Sequence, residues 1–240
     1  MRGLVTLASV AWLAGCGFQP QAGTARRDAP ASSDGPPLID ATVIGDDAKM
    51  FLDAPTITGA LSVTSVTLGN MDRDLSAEGT IDWAHWGYVG ANSFDHKANG
   101  GTAISDLAAT PPVNFTGAPF TASWSDGMPH QNVAMTSTGV GVREGSVMTF
   151  TVAAATTSRV LKLYVGAQNA TARLDVALSD DSAPPQTKTL ASSATTTNVC
   201  YTITFNAATA AQTLSVSWTD TNDAGSGNPF AALLEATLAN

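Results

Sequence analysis

The feature that most constrains this chain is a two-residue period of apolar side chains in its second half. Ala172, Leu174, Val176 and Leu178 alternate with their neighbours, as do Val199, Tyr201, Ile203 and Phe205, then Leu214, Val216 and Trp218. A period of two lines one face of an extended strand with apolar groups and leaves the other to Thr, Ser and charge. Such strands need a second layer against the apolar face, and the turn formers between them, as in Ser179–Pro185, return the chain.

The same pattern extends upstream. Leu61 and Val63 alternate, and Val66 and Leu68 resume one residue out of phase, which predicts a bulge. A strand through Thr80–Trp83 precedes a loop at Gly87–Gly101, and Ala103–Ser105 restarts a strand that Pro111-Pro112 stops. Phe120, Ala122 and Trp124 share a face before the turn Ser125-Asp126-Gly127, and Asn132–Val142 alternates throughout. Met148, Phe150 and Val152, then Leu161, Leu163 and Val165, and finally Leu234, Ala236 and Leu238 mark further strands. No convincing helix interrupts them. About ten short strands predict an all-β fold, an antiparallel β-sandwich of jelly-roll type, over residues 59–240. An apolar content of 44% supplies the core, and a net charge of −9 excludes nucleic acid as a partner.

The N-terminus carries an address. After Met1-Arg2 comes the apolar run Leu4–Ala14, shorter than the roughly 20 residues that cross a bilayer and suited to a signal peptide. It ends in Leu13-Ala14-Gly15-Cys16, which resembles the lipobox of bacterial lipoproteins. The resemblance implies a signal peptide at 1–15, cleavage before Cys16, and acylation of that cysteine with diacylglycerol and a further chain such as palmitate. The membrane is then a partner through the lipid anchor, since each buried CH₂ adds about 0.8 kcal/mol. Gly17, where a retention signal would place Asp, implies the outer membrane of the cell envelope. Residues 16–58, with Pro20, Pro30, Pro36, Pro37 and Pro55 among many aspartates, are expected to form a disordered acidic tether.

Leu75–Gly87 concentrates chemistry. It holds Trp83 and Trp86 from a chain with five tryptophans, beside Asp82 and His85. Two readings stay open: a core strand, or a stacking platform for a flat ligand such as a sugar. Strict alternation predicts that Trp83 is core and that Trp86, next to a turn at Gly87, is the exposed ring. Together with Ser123–Gly127, Leu163–Ala167 and Ala177–Pro184, this stretch resembles a β-sandwich module of secreted and surface-attached bacterial proteins, often found beside carbohydrate-active domains. The resemblance spans Ala60 to Asn240 and implies a jelly roll similar to carbohydrate-binding modules. It brings no assigned binding residues. Candidates for ligand binding are Trp86, Tyr88, Asp82, His85, Asp126 and His130.

Other constellations are sparser. Cys200, with Cys16 lipidated, has no disulfide partner and reads as a small buried hydrophobe. Asp220, Asn222 and Asp223 offer hard oxygen ligands for a structural Ca²⁺, the one cofactor to consider. The histidines at 85, 96 and 130 are too scattered for zinc. Glu78 and Asp126 could serve as a glycosidase's carboxylate pair, yet no nucleophile elbow, HExxH or phosphate loop accompanies them. The expected function is a lipid-anchored, non-catalytic module that binds carbohydrate or another envelope polymer. The alternative is a structural or adhesive surface protein that contacts another protein, and the third reading is a glycoside-acting enzyme.

Overall fold

The computed structural model describes residues 58–109, 112–193, 195–224 and 227–240. The signal peptide, the lipobox with Cys16 and all of the tether before Thr58 lie outside the described residues. The strands are β1 Ala60–Thr67, β2 Asp72–Asp74, β3 Asp82–Trp86, β4 Phe94–Lys97, β5 Ala108–Ala109 and β6 Val113–Thr116. There follow β7 Thr121–Trp124, β8 Gly127–Met128, β9 Val133–Thr136, β10 Thr138–Val142, β11 Val147–Ala154 and β12 Arg159–Gln168. The last are β13 Ala170–Leu178, β14 Gln186–Ser192, β15 Thr197–Asn206, β16 Gln212–Asp223 and β17 Phe230–Ala239. One four-residue helix, α1 (Leu75–Glu78), lies between β2 and β3.

From β10 onward the chain pairs as one long folded ribbon. β13 pairs with β14 across the turn at Ser179–Pro185, β12 with β15, β11 with β16, and β10 with β17, all antiparallel. Successive rungs fall in two facing sheets: β10-β17-β12-β15 belong to a nine-stranded sheet and β11-β16-β13-β14 to a five-stranded one. A ribbon rolled up in this way is a jelly roll, so the expected fold class holds. The inward rows carry the two-residue period: Leu161, Leu163 and Ile203 from one sheet meet Phe150, Leu174, Val216 and Trp218 from the other.

The region before β10 builds outward. β1 extends the nine-stranded sheet beside β15, while β3, β4 and β8 extend it beyond β17. A three-stranded sheet, β2-β7-β9, and α1 cover the outer face of the large sheet as a third layer. Beneath them Leu75, Ala122, Trp124 and Val133 pack on Trp83, and a second cluster joins Phe115, Phe120, Tyr164 and Cys200. Cys200 is buried, as its strand pattern predicted, and burial pushes its thiol pKa up.

Four local expectations are corrected. The described residues form seventeen strands rather than about ten, because two- to four-residue pieces such as β2, β5 and β8 carry no readable period. The bulge between Val63 and Val66 is absent: β1 and β15 stay in register from Ala60 to Thr67. The phase change arises because the large sheet has apolar neighbours on both faces, with Val63 in the main core and Leu68 against the outer cluster. Asn132–Val142 is not one strand but β9 and β10, which belong to different sheets. Finally α1 exists, with the Ala77 N–H donating to the Asp74 side chain and the Gly79 N–H to the Leu75 carbonyl. Asp before and Gly after a short Leu-Ser-Ala-Glu run was the readable signal.

Candidate functional site

β3 places its five residues alternately. Trp86 and Ala84 point into the sandwich, and Trp83 and His85 point under the third layer. All five are buried. Trp86 is 1% exposed, set against Phe94 at 6.0 Å and Phe150 at 5.1 Å between ring centres. The alternation of the two tryptophans was read correctly, but the exposed stacking ring was not: the outer face of this sheet is itself covered, so neither side of β3 meets solvent. Gly87 does make the turn, at φ +84°, and a Cβ there would lie 2.2 Å from the Gly139 carbonyl where β3 and β10 meet end to end.

Two more of the candidates are structural. Asp82 is buried and accepts from the N–H groups of Trp83 (2.8 Å), Ala103 (2.9 Å) and Ile104 (2.8 Å). Burial raises its pKa against the pull of those three donors. Its role is to pin the segment before β5 to the head of β3. His85 lies between Trp124 (5.1 Å) and Tyr88 (6.5 Å), and burial pushes its pKa down to about 3, against a contribution from the Thr138 main chain. It is a neutral core histidine at physiological pH.

Tyr88, His130 and Asp126 stay partly accessible: Tyr88 and His130 meet each other, while Asp126 has its own set of partners. Tyr88 meets His130 edge-on at 5.0 Å and Trp124 at 5.5 Å. The His130 ring Nδ1 is 2.7 Å from Oδ1 of buried Asp95, and the Trp124 indole N–H donates to the His130 carbonyl at 2.7 Å. Asp126 is held by three donors: the Trp83 indole N–H at 2.8 Å, Lys97 Nζ at 2.8 Å and the Ser76 hydroxyl. Burial alone would raise its pKa, but these hydrogen bonds and the Lys97 charge together hold it below the ordinary carboxylate value. Beside it opens a shallow cavity of about 310 Å³ lined by Asn99, Ser125, Asp126, Met128 and Gln131 among others. Gly127 floors it, since a Cβ there would sit 2.6 Å from the Trp124 ring. Fixed acceptors and amides around a small hollow suit a ligand rich in hydroxyl groups.

No family model matches this chain. No curated protein matches it either. One solved structure that it resembles is the enzymatically active domain of tailspike protein 4 from bacteriophage CBA120, at 15% identity and a TM-score of 0.35. The match covers 57% of this chain and 20% of that one, so the chain spans about a fifth of that protein's length. The expectation of a non-catalytic module is corrected here: the matching structure is described as enzymatically active, and absence of catalysis is not retained as a property of this chain. At that TM-score no reaction, substrate or residue is transferred.

Glu78 and Asp126, the carboxylates weighed as a glycosidase pair, share no hydrogen-bond partner. Glu78 accepts from the Tyr164 hydroxyl at 2.6 Å and lies 3.5 Å from Lys162 Nζ, whereas Asp126 has the separate partners given above. Glu78 instead belongs to a group that was missed. On β17, Glu235 sits opposite His85 on one side and Tyr164 on the other. It is 1% exposed, and burial, aided by Glu78 and opposed by Arg73, pushes its pKa up to about 8. The Arg73 guanidinium is stacked 4.4 Å from the Phe120 ring centre and 4.3 Å from that of Tyr164, with Nη1 buried and unpaired. The signal was a single Glu within the otherwise uncharged run FAALLEATLA. A carboxyl that keeps its proton at neutral pH has the chemistry of a general acid, but here it is enclosed under the third layer.

Of the calcium candidates, Asp220 and Asp223 come together and Asn222 does not: its side chain is exposed. The pairing of β13 with β16 skips a residue, Ala172 facing Asp220 and Thr171 facing Asn222, so Thr221 is the extra residue of a bulge. That bulge shifts the parity and turns Asp220 and Asp223 to the same side. Burial, then the charge of Asp223, pushes the Asp220 pKa up to about 6, against the nearby Asn222 N–H. Among the described residues no group of three His, Cys, Asp or Glu forms a metal cluster.

Proposed function

We propose that this chain is a lipid-anchored cell-envelope protein whose jelly roll binds carbohydrate at the Asp126 rim. The observation that carries the reading is the Asp126 carboxylate, fixed by Ser76, Trp83 and Lys97 while still opening on a hollow with Asn99, Ser125 and Gln131. Both carboxylate oxygens are already oriented, so a sugar hydroxyl that donates to them meets little further ordering cost. The rings contribute from below: Trp83 and Trp124 hold the floor, and hydrogen bonds rather than stacking select the ligand. The envelope address rests on the lipobox Leu13–Cys16.

Retention on immobilised glycans tests the binding half, with the same incubations read for release of reducing ends. The full-length chain should be retained by at least one neutral glycan. Asn99→Ala and Gln131→Ala, both exposed, should each weaken retention up to about tenfold, in line with roughly 1–1.5 kcal/mol per hydrogen bond. Retention by no glycan, or retention indifferent to both substitutions, overturns the site. Membrane fractionation of Cys16→Ser tests the address, which fails if the variant stays with the membrane as the wild type does.

A further inference from the structure

The end of the sandwich below Trp218 holds two acids that have no charge partner among the described residues. Asp220 continues the inward row Leu214, Val216, Trp218 and is fully buried at the rim between the two jelly-roll sheets. Neither of its carboxylate oxygens makes a hydrogen bond of ordinary geometry, the Asn222 N–H and the Asp223 carboxyl being its nearest polar neighbours, and Oδ1 of Asp223 is also buried and unpaired. Among the described residues no Lys, Arg or His lies within salt-bridge distance of either acid. Arg143, in the adjoining turn, directs its guanidinium to the Pro229 carbonyl at 2.6 Å and to Asn228. Glu144, in the same turn, adds a further negative charge.

A buried, unpaired carboxylate is strongly unfavourable, and two facing each other more so. The local backbone produces this juxtaposition deliberately in the geometric sense: without the Thr221 bulge the two side chains would point to opposite faces. We propose that Asp220 and Asp223 are the side-chain ligands of a calcium ion bound at this rim, with main-chain oxygens and water completing its shell. Oxygen-only donors, two of them anionic, are the set that a hard divalent cation takes, and Ca²⁺ tolerates the irregular geometry of a bulged strand end better than Mg²⁺. Bound there, the ion would tie the end of β16 to the sandwich. The site is remote in sequence from the Asp126 rim and does not depend on the carbohydrate reading.

The test is thermal melting of the full-length chain in chelator and in calcium, with terbium luminescence excited through tryptophan as a second readout. Trp218, on the same inward row, is a built-in sensitiser. At calcium a hundredfold above its Kd the wild type should melt roughly 5–10 °C higher than in chelator. Terbium emission should appear and be displaced by calcium. Asp220→Asn and Asp223→Asn should each abolish both responses, and in chelator each should melt no lower than the wild type because one of two opposed charges is gone. No calcium response in the wild type overturns the proposal. So does a response that survives both substitutions, which would put the ion elsewhere, or a larger response to magnesium than to calcium. Should one variant fail to fold, the other and the wild-type terbium signal decide.

Discussion

Trp83 and Trp86 leave the surface on opposite faces of the same strand, one against Trp124 under the third layer and the other against Phe150 in the sandwich. Truncating either ring to Ala removes buried contacts with no solvent-exposed compensation, and each should cost about 3–5 kcal/mol. Trp86→Ala should therefore melt on the order of 10 °C lower, as Trp83→Ala should. A near-wild-type melt for Trp86→Ala would mean the ring is dispensable to the core. Glu235 makes a second prediction at this scale. Between the ordinary value of 4.5 and about 8, the folded state keeps a proton that the unfolded chain has released. Its stabilising contribution is thus full below pH 4.5 and is lost as pH rises to about 8. His85, lowered from 6.5 to about 3, acts in the opposite sense below pH 6.5, so the clean window is pH 6.5 to 8. There stability should fall by up to about 1.4 kcal/mol per pH unit, and Glu235→Gln should flatten the slope in melts across that range. An unchanged slope in the variant would remove Glu235 as its source. The sequence showed which residues were unusual but not their surroundings: Trp86, Asp82 and His85 read as ligands because alternation promises one wet face, and this strand has none.

At the scale of elements, the contrast between β1 and β17 governs local stability. β1 is an edge strand with Val63 as its one buried residue, while β17 is buried along nearly its whole length and paired on both sides. Amide hydrogen exchange should accordingly open β1 far below the global unfolding free energy, with β17, β12 and β16 exchanging last. Protection in β1 equal to that in β17 would contradict the edge assignment. The long strands were legible because eight to twelve residues give a period several chances to repeat. The third layer was not, since β2, β7 and β9 are three or four residues each and pair across distant parts of the chain. Bulges were misplaced for a related reason. A phase change in apolar residues marks either an extra residue or a sheet packed on both faces, and β1 is the second case. One bulge that does occur, at Thr221, lies in a run of polar residues that carries no hydrophobic phase at all.

For the whole molecule, the jelly roll could be anticipated from alternation and from the turn at Ser179–Pro185, because that turn is the fold of the ribbon around which the other three pairs nest. The cavity beside Asp126 could not, since its walls are Ala98 and Asn99 just after β4 and residues in and around β8, which the pairing of β4 with β8 brings together from about thirty residues apart. The position of β17 has a further consequence. It follows every one of its partners in the chain, yet it is the strand on which β12, β10 and β3 all depend for a neighbour. During synthesis the large sheet therefore stays open until residues 230–239 have emerged, and the earlier strands wait without their central partner. Removing β17 would therefore do more than shorten the sheet: it would part the β1-β15-β12 half from the β3-β4-β8 half, which have no other strand between them.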